Sequence, residues 1–88
     1  MNRFIDDNEI RITGVYSGEK IRFNEVIFYV FNQIQDIDSE KMIKSRILVN
    51  FIYGEMKGIE ELKGKRIGIK GICLNDNSQV ILLNSDFQ

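Results

Sequence analysis

Residues 47–71 read I-L-V-N-F-I-Y-G-E-M-K-G-I-E-E-L-K-G-K-R-I-G-I-K-G, and the rest of the chain falls into place on either side of them. The stretch opens inside a predicted strand over residues 45–53, with Ile47, Val49, Phe51 and Tyr53 on one face and Leu48, Asn50 and Ile52 on the other. A short helix is predicted over residues 54–64. Its Met56, Ile59 and Leu62 fall three apart and form one apolar stripe, and Gly64 stands where a C-terminal cap belongs. A strand over residues 65–74 follows, with Ile67 and Ile69 on one side and Arg66, Gly68 and Lys70 on the other.

Working outward towards the C-terminus, Asn75-Asp76-Asn77-Ser78 has turn composition, and a fifth strand over residues 79–84 makes a hairpin with the fourth. The tail 85–88 is expected to be loose. Towards the N-terminus, residues 36–44 are polar and read either as one capped helical turn or as a mobile loop. Before them, residues 25–33 (E-V-I-F-Y-V-F-N-Q) form a second strand that is apolar on both sides. Val26, Phe28 and Val30 share one side, and Ile27, Tyr29 and Phe31 the other. Residues 9–16 alternate as a half-buried first strand, broken by Gly14 at a bulge or bend; residues 17–20 read as a turn, after which Ile21-Arg22-Phe23 resumes an extended path.

The chain has 88 residues, which is the size of one domain, expected over residues 1–88 with loose ends at about 1–8 and 85–88. Fifteen Ile and no Ala favour strand over helix. The chain has no His and a single cysteine, Cys73. These counts exclude the usual zinc sites, Ser-His and Cys-His nucleophile pairs and an internal disulfide. No glycine cluster matches a phosphate-cradling loop. The longest apolar run, residues 26–31, is far too short to span a bilayer, and the N-terminus has no signal-peptide pattern. A binding module without cofactor or metal, in a reducing cytoplasmic compartment, is the reading these exclusions leave; Cys73 is expected as a buried apolar filler.

The order of elements, three strands, a short helix and two strands, is that of the OB fold, an all-β, five-stranded Greek-key barrel. Residues 47–71 also resemble the core of bacterial single-stranded DNA-binding proteins. Tyr53-Gly54, Leu62-Lys63-Gly64 and Ile67-x-Ile69-x-Gly71 occupy the places of that family's aromatic-Gly strand end, its Lys-Gly turn and its V-x-V-x-G strand. The chain has no Trp and no long acidic tail, which suits a small accessory relative, of primosomal or mobile-element type, better than the housekeeping protein. The resemblance implies non-catalytic binding of single-stranded nucleic acid, DNA before RNA, in replication, recombination or mobile-element processing, by an oligomer or a partner of replication proteins.

Charge and rings supply candidate contacts. Residues 1–40 carry four basic and eight acidic side chains, net −4, residues 41–71 eight and three, net +5, and residues 72–88 two acids. The basic block is Lys41, Lys44, Arg46, Lys57, Lys63, Lys65, Arg66 and Lys70. Of these, Arg46, Lys65, Arg66 and Lys70 on strands three and four, with Lys44 just before strand three, are expected to track phosphates. Tyr29, Phe31 and Tyr53 are expected to stack bases, with Tyr16 and Phe23 flanking, while Phe28 and Phe51 fill the core. The alternative is a protein-interaction subunit that docks another chain through the doubly apolar second strand.

Overall fold

The computed structural model describes residues 8–76 and 79–88. It is nearly all strand: β1 (Asn8–Phe23), β2 (Val26–Asp36), β3 (Met42–Phe51), a 3-10 turn (Ile59–Leu62), β4 (Arg66–Asp76) and β5 (Gln79–Phe87). The strands close into a barrel in the order β1-β2-β3-β5-β4. β3 and β5 run parallel, and every other neighbouring pair is antiparallel. This is the OB-type barrel expected from the order of elements. Closure leaves no open sheet edge, which matters in a chain whose strands are apolar on both sides.

Alternating residues point inward and make one core. Ile10, Ile12 and Tyr16 come from β1, Ile27, Tyr29, Phe31 and Ile34 from β2, and Ile47, Val49 and Phe51 from β3; β4 adds Ile69 and Cys73, and β5 adds Val80 and Leu82. Each such side chain contributes about 1.5–3 kcal/mol through burial. With no Trp available, linked rings fill the space: Tyr16–Tyr29 at 5.8 Å, Tyr16–Phe31 at 5.4 Å, Tyr29–Phe51 at 5.6 Å and Phe51–Phe87 at 5.0 Å between centroids. Gly14 makes room for them. A Cβ there would stand 2.8 Å from Ile34 Cδ1 and 3.4 Å from Phe31 Cβ, so the missing side chain belongs to the packing rather than to a turn.

Bulges bend the strands around this core. β1 inserts residues between the pairs Tyr16–Phe31 and Lys20–Tyr29, so the predicted turn at 17–20 is a bulge within one long strand. Gln33 in β2 and Asn84 in β5 have φ of 54° and 50° and lie at register shifts against β1 and β4. Beyond the second of these, β5 continues to Phe87, with Ser85 fully buried and the Gln88 amide donating to the Gly68 carbonyl at 2.9 Å. The expected loose end at 85–88 is therefore ordered barrel wall. The expected loose end at 1–8 lies outside the described residues except for Asn8, which begins β1.

Two further expectations change. Residues 54–64 hold only the 3-10 turn, because Gly58 takes positive φ in the middle of the segment and interrupts a helix, while Gly54 and Gly64 take positive φ at its two ends. The apolar stripe survives without it: Ile59 is buried, and Met56 and Leu62 pack on the core. At the other junction, Asn75 and Asp76 belong to β4 and pair with Val80 and Gln79; Asn77 and Ser78 lie outside the described residues. The polar stretch after β2 is a tight reversal, with the Asp36 carboxylate accepting from the Ser39 amide at 2.9 Å.

Candidate nucleic-acid interface

Whatever the barrel binds meets its outer face, so the outward residues of each strand define the candidate site. On β2 these are Val26, Phe28, Val30 and Asn32, since Ile27, Tyr29 and Phe31 point inward. Tyr29 is 1% exposed and Phe31 0%. Both are core rings, so neither is available to stack a base, and Tyr16 is buried with them. The expected strand was right and its sides were reversed. The outward ring is the half-buried Phe28, placed in the core by the sequence reading. Phe28 pairs with Ile21 across the β1–β2 hairpin, and the next outward pair is Phe23 with Val26, 66% and 38% exposed. The two-residue turn beyond them, Asn24 and Glu25, has positive φ at both positions, as hairpin twist requires.

The cations separate into groups. Arg46 is exposed on β3 opposite Asn32 of β2, and Arg66 is exposed at the start of β4 opposite Val15 of β1. Arg66 does not stay over its own strand. Its Nη1 donates to Thr13 Oγ1 at 3.0 Å and to the Gln33 carbonyl at 2.8 Å, and its Nη2 faces Gln33 Oε1 at 3.4 Å. The guanidinium thus crosses β1 and rests over the β2 bulge, beside the residue that faces Arg46. All three acceptors are neutral, so its charge remains uncompensated.

Lys70 is half-buried on β4 directly opposite the exposed Arg11 of β1. Its neighbour on the other side is Asp86 of β5, whose carboxylate accepts from Tyr53 Oη at 3.3 Å and from the Phe87 amide at 2.8 Å. Among the described residues, no carboxylate lies within 4 Å of Arg11, Arg46, Arg66 or Lys70. Arg11 was missing from the sequence-based set, although its place between Ile10 and Ile12 on an alternating strand already put it outward.

The remaining candidates are placed as follows in the barrel. Lys44 is half-buried opposite Ile34. Lys65 is exposed in the turn before β4, and its amide closes that turn on the Leu62 carbonyl. Lys63 lies against Gly18 in the β1 bulge. Tyr53 is 69% exposed past the end of β3 and reaches the Lys70 side of the group through Asp86, to which its hydroxyl donates. Cys73 is buried, as expected.

The outer side also has an apolar part. Val30, Leu48, Ile81 and Leu74 are successive register partners across β2, β3, β5 and β4, and Ile72–Leu83 is a further pair on the same side. Val30 is buried although it stands outside the core cluster. Among the described residues no group of three or more His, Cys, Asp or Glu could hold a metal, and no helix is long and apolar enough to cross a membrane. In comparisons with protein-family models, with characterised proteins and with solved structures, the chain matches none.

Proposed function

We propose that the barrel binds single-stranded nucleic acid, DNA before RNA, without catalysing a reaction. The observation that carries this reading is Arg66, a cation fixed by three neutral acceptors over β2 with Arg46 on the adjoining strand. A guanidinium held in this way keeps its full charge and loses little side-chain entropy on meeting a phosphate. Gln33 holds it directly, and Asn32 and Gln35 flank the same bulge with further side-chain amides, a residue type able to meet sugar or base edges. Phe28, at the start of the same strand, offers a ring face, and Phe23 extends it at the hairpin tip; base stacking on a ring contributes about 1–3 kcal/mol. The likeness of residues 47–71 to bacterial single-stranded DNA-binding proteins supports the same reading and suggests a role in replication, recombination or mobile-element processing.

Fluorescence anisotropy with a labelled dT oligomer tests it. Affinity is expected to fall linearly with salt on a log–log scale. Removing both cations with Arg46→Ala and Arg66→Ala is expected to flatten that slope by about 1.4, at roughly 0.7 per phosphate on a single strand. Binding that does not respond to salt would contradict the reading.

The apolar row Val30–Leu48–Ile81–Leu74 favours a second reading, a protein-interaction subunit. Val30 is itself buried, and the half-buried Leu48, Ile81 and Leu74 beside it, in register across three strands, are what the row offers another chain. Leu48→Lys with Ile81→Lys would reduce the mass seen in sedimentation if that row joins copies of the chain. An unchanged monomer mass in both forms would speak against self-association.

A further inference from the structure

Arg11 and Lys70 face each other as direct register partners on β1 and β4. Like charges in that position repel, and the sheet gains nothing from placing them there. Asp86 is the register partner of Lys70 on its other side; its two donors, Tyr53 Oη and the Phe87 amide, are neutral and leave its charge in place, but no carboxylate among the described residues stands within 4 Å of either cation. The pair therefore places two like charges side by side on the outer wall without a direct ion pair to either, although Asp86 lies opposite Lys70 and Glu9 and Asp38 line the same hollow as Arg11.

Its position gives it a direction. Lys70 lies four residues beyond Arg66 on β4, about 13 Å along the strand, and Arg11 lies two residues beyond Thr13, which the Arg66 guanidinium touches. Gln88 fills the place over Gly68 between Arg66 and Lys70, so the line from one charge cluster to the other follows the outer side of β1, over Val15, Thr13 and Arg11. This is not the face between the β1–β2 and β4–β5 hairpins on which OB barrels commonly hold ligands. Here that face is crossed by the apolar row Val30–Leu48–Ile81–Leu74.

We infer that Arg11 and Lys70 form a second phosphate-binding site, and that a bound single strand leaves the β2 bulge at Arg66 and continues along β1 to this pair. The inference rests on the proposed nucleic-acid reading and adds the path and two residues to it. The test is salt-titrated anisotropy of the full chain with labelled dT oligomers, with Arg11→Ala and Lys70→Ala singly and together. The double variant is expected to flatten the log–log salt slope by about 1.4 and to weaken binding at low salt at least tenfold for a long oligomer. For an oligomer too short to span both clusters the loss should be smaller. Its melting temperature should stay close to the parent's, because the Arg11–Lys70 repulsion and the attraction of Lys70 to Asp86 are lost together. A double variant with the parent's slope, in a chain that does bind with a steep slope, overturns the path and leaves the Arg46–Arg66 reading intact. No salt-dependent binding by the parent chain overturns both.

Discussion

Tyr16 places its ring in the core and its hydroxyl at the margin of it, where the hydroxyl donates to Glu60 Oε1 at 3.1 Å. Burial, reinforced by the Glu60 carboxylate, pushes the phenol up to about 12 from the ordinary 10. The folded state therefore keeps this proton at pH values where the unfolded chain loses it. The corresponding stability is complete below pH 10 and is lost as pH rises from 10 towards 12. Melting temperatures measured between pH 9 and 12 should fall more steeply for the parent chain than for Tyr16→Phe. Tyr29 has a different partner: its hydroxyl accepts from the Met56 amide at 2.9 Å. Tyr29→Phe keeps the ring packing and leaves that amide unmet, a cost of about 1 kcal/mol. It is expected to appear as a lower denaturation midpoint at unchanged slope.

At the scale of elements, these two tyrosines fasten residues 54–64 across one end of the barrel. The Gly64 amide donating to the Tyr16 carbonyl at 2.8 Å and the Lys20–Glu55 ion pair at 3.1 Å fasten it further. Ile59 enters the core from this segment. Tyr29→Phe should therefore raise amide exchange at residues 54–64 more than in β1 or β4, and uniform loss of protection would contradict that local anchoring. The segment also shows what the sequence could convey. Its apolar spacing was legible because Met56, Ile59 and Leu62 must reach the core whatever backbone carries them. Its conformation was not, because glycines at positive φ can look like a helix cap from either end. Strand order was legible for a similar reason: turns, bulges and alternation are local. The inward side of β2 was not. Ile27-Phe28-Tyr29-Val30-Phe31 is apolar on both sides, so alternation leaves two answers that differ by one residue of register. Tertiary packing chose between them, through the space beside Gly14 and the outward apolar partners Leu48 and Ile81. That choice exchanged Tyr29 and Phe31 for Phe28 as the ring a ligand can reach.

On the whole molecule, net charge says little: −1 overall conceals an outer wall on which Arg11, Arg46, Arg66 and Lys70 have no carboxylate partner among the described residues. The basic block in the sequence proved only partly one surface. β3 and β4 are not neighbours in the barrel, so Arg46 and Arg66 come together only because one long side chain crosses β1 to β2. No linear pattern announces such a reach, nor the approach of Arg11, far back in the chain, to Lys70. The apolar row adjoins the cationic wall, since Val30 and Leu48 are the next outward residues to Asn32 and Arg46 on β2 and β3, so self-association through the row and strand binding would compete there. The most direct test is a titration of the isotopically labelled chain with an unlabelled dT oligomer, following backbone amide shifts. Perturbation centred on Thr13, residues 32–35, Arg46 and Arg66 is the expected result. Spectra that stay unchanged at saturating oligomer, or that move only at residues 54–64, would contradict the binding surface described for this barrel.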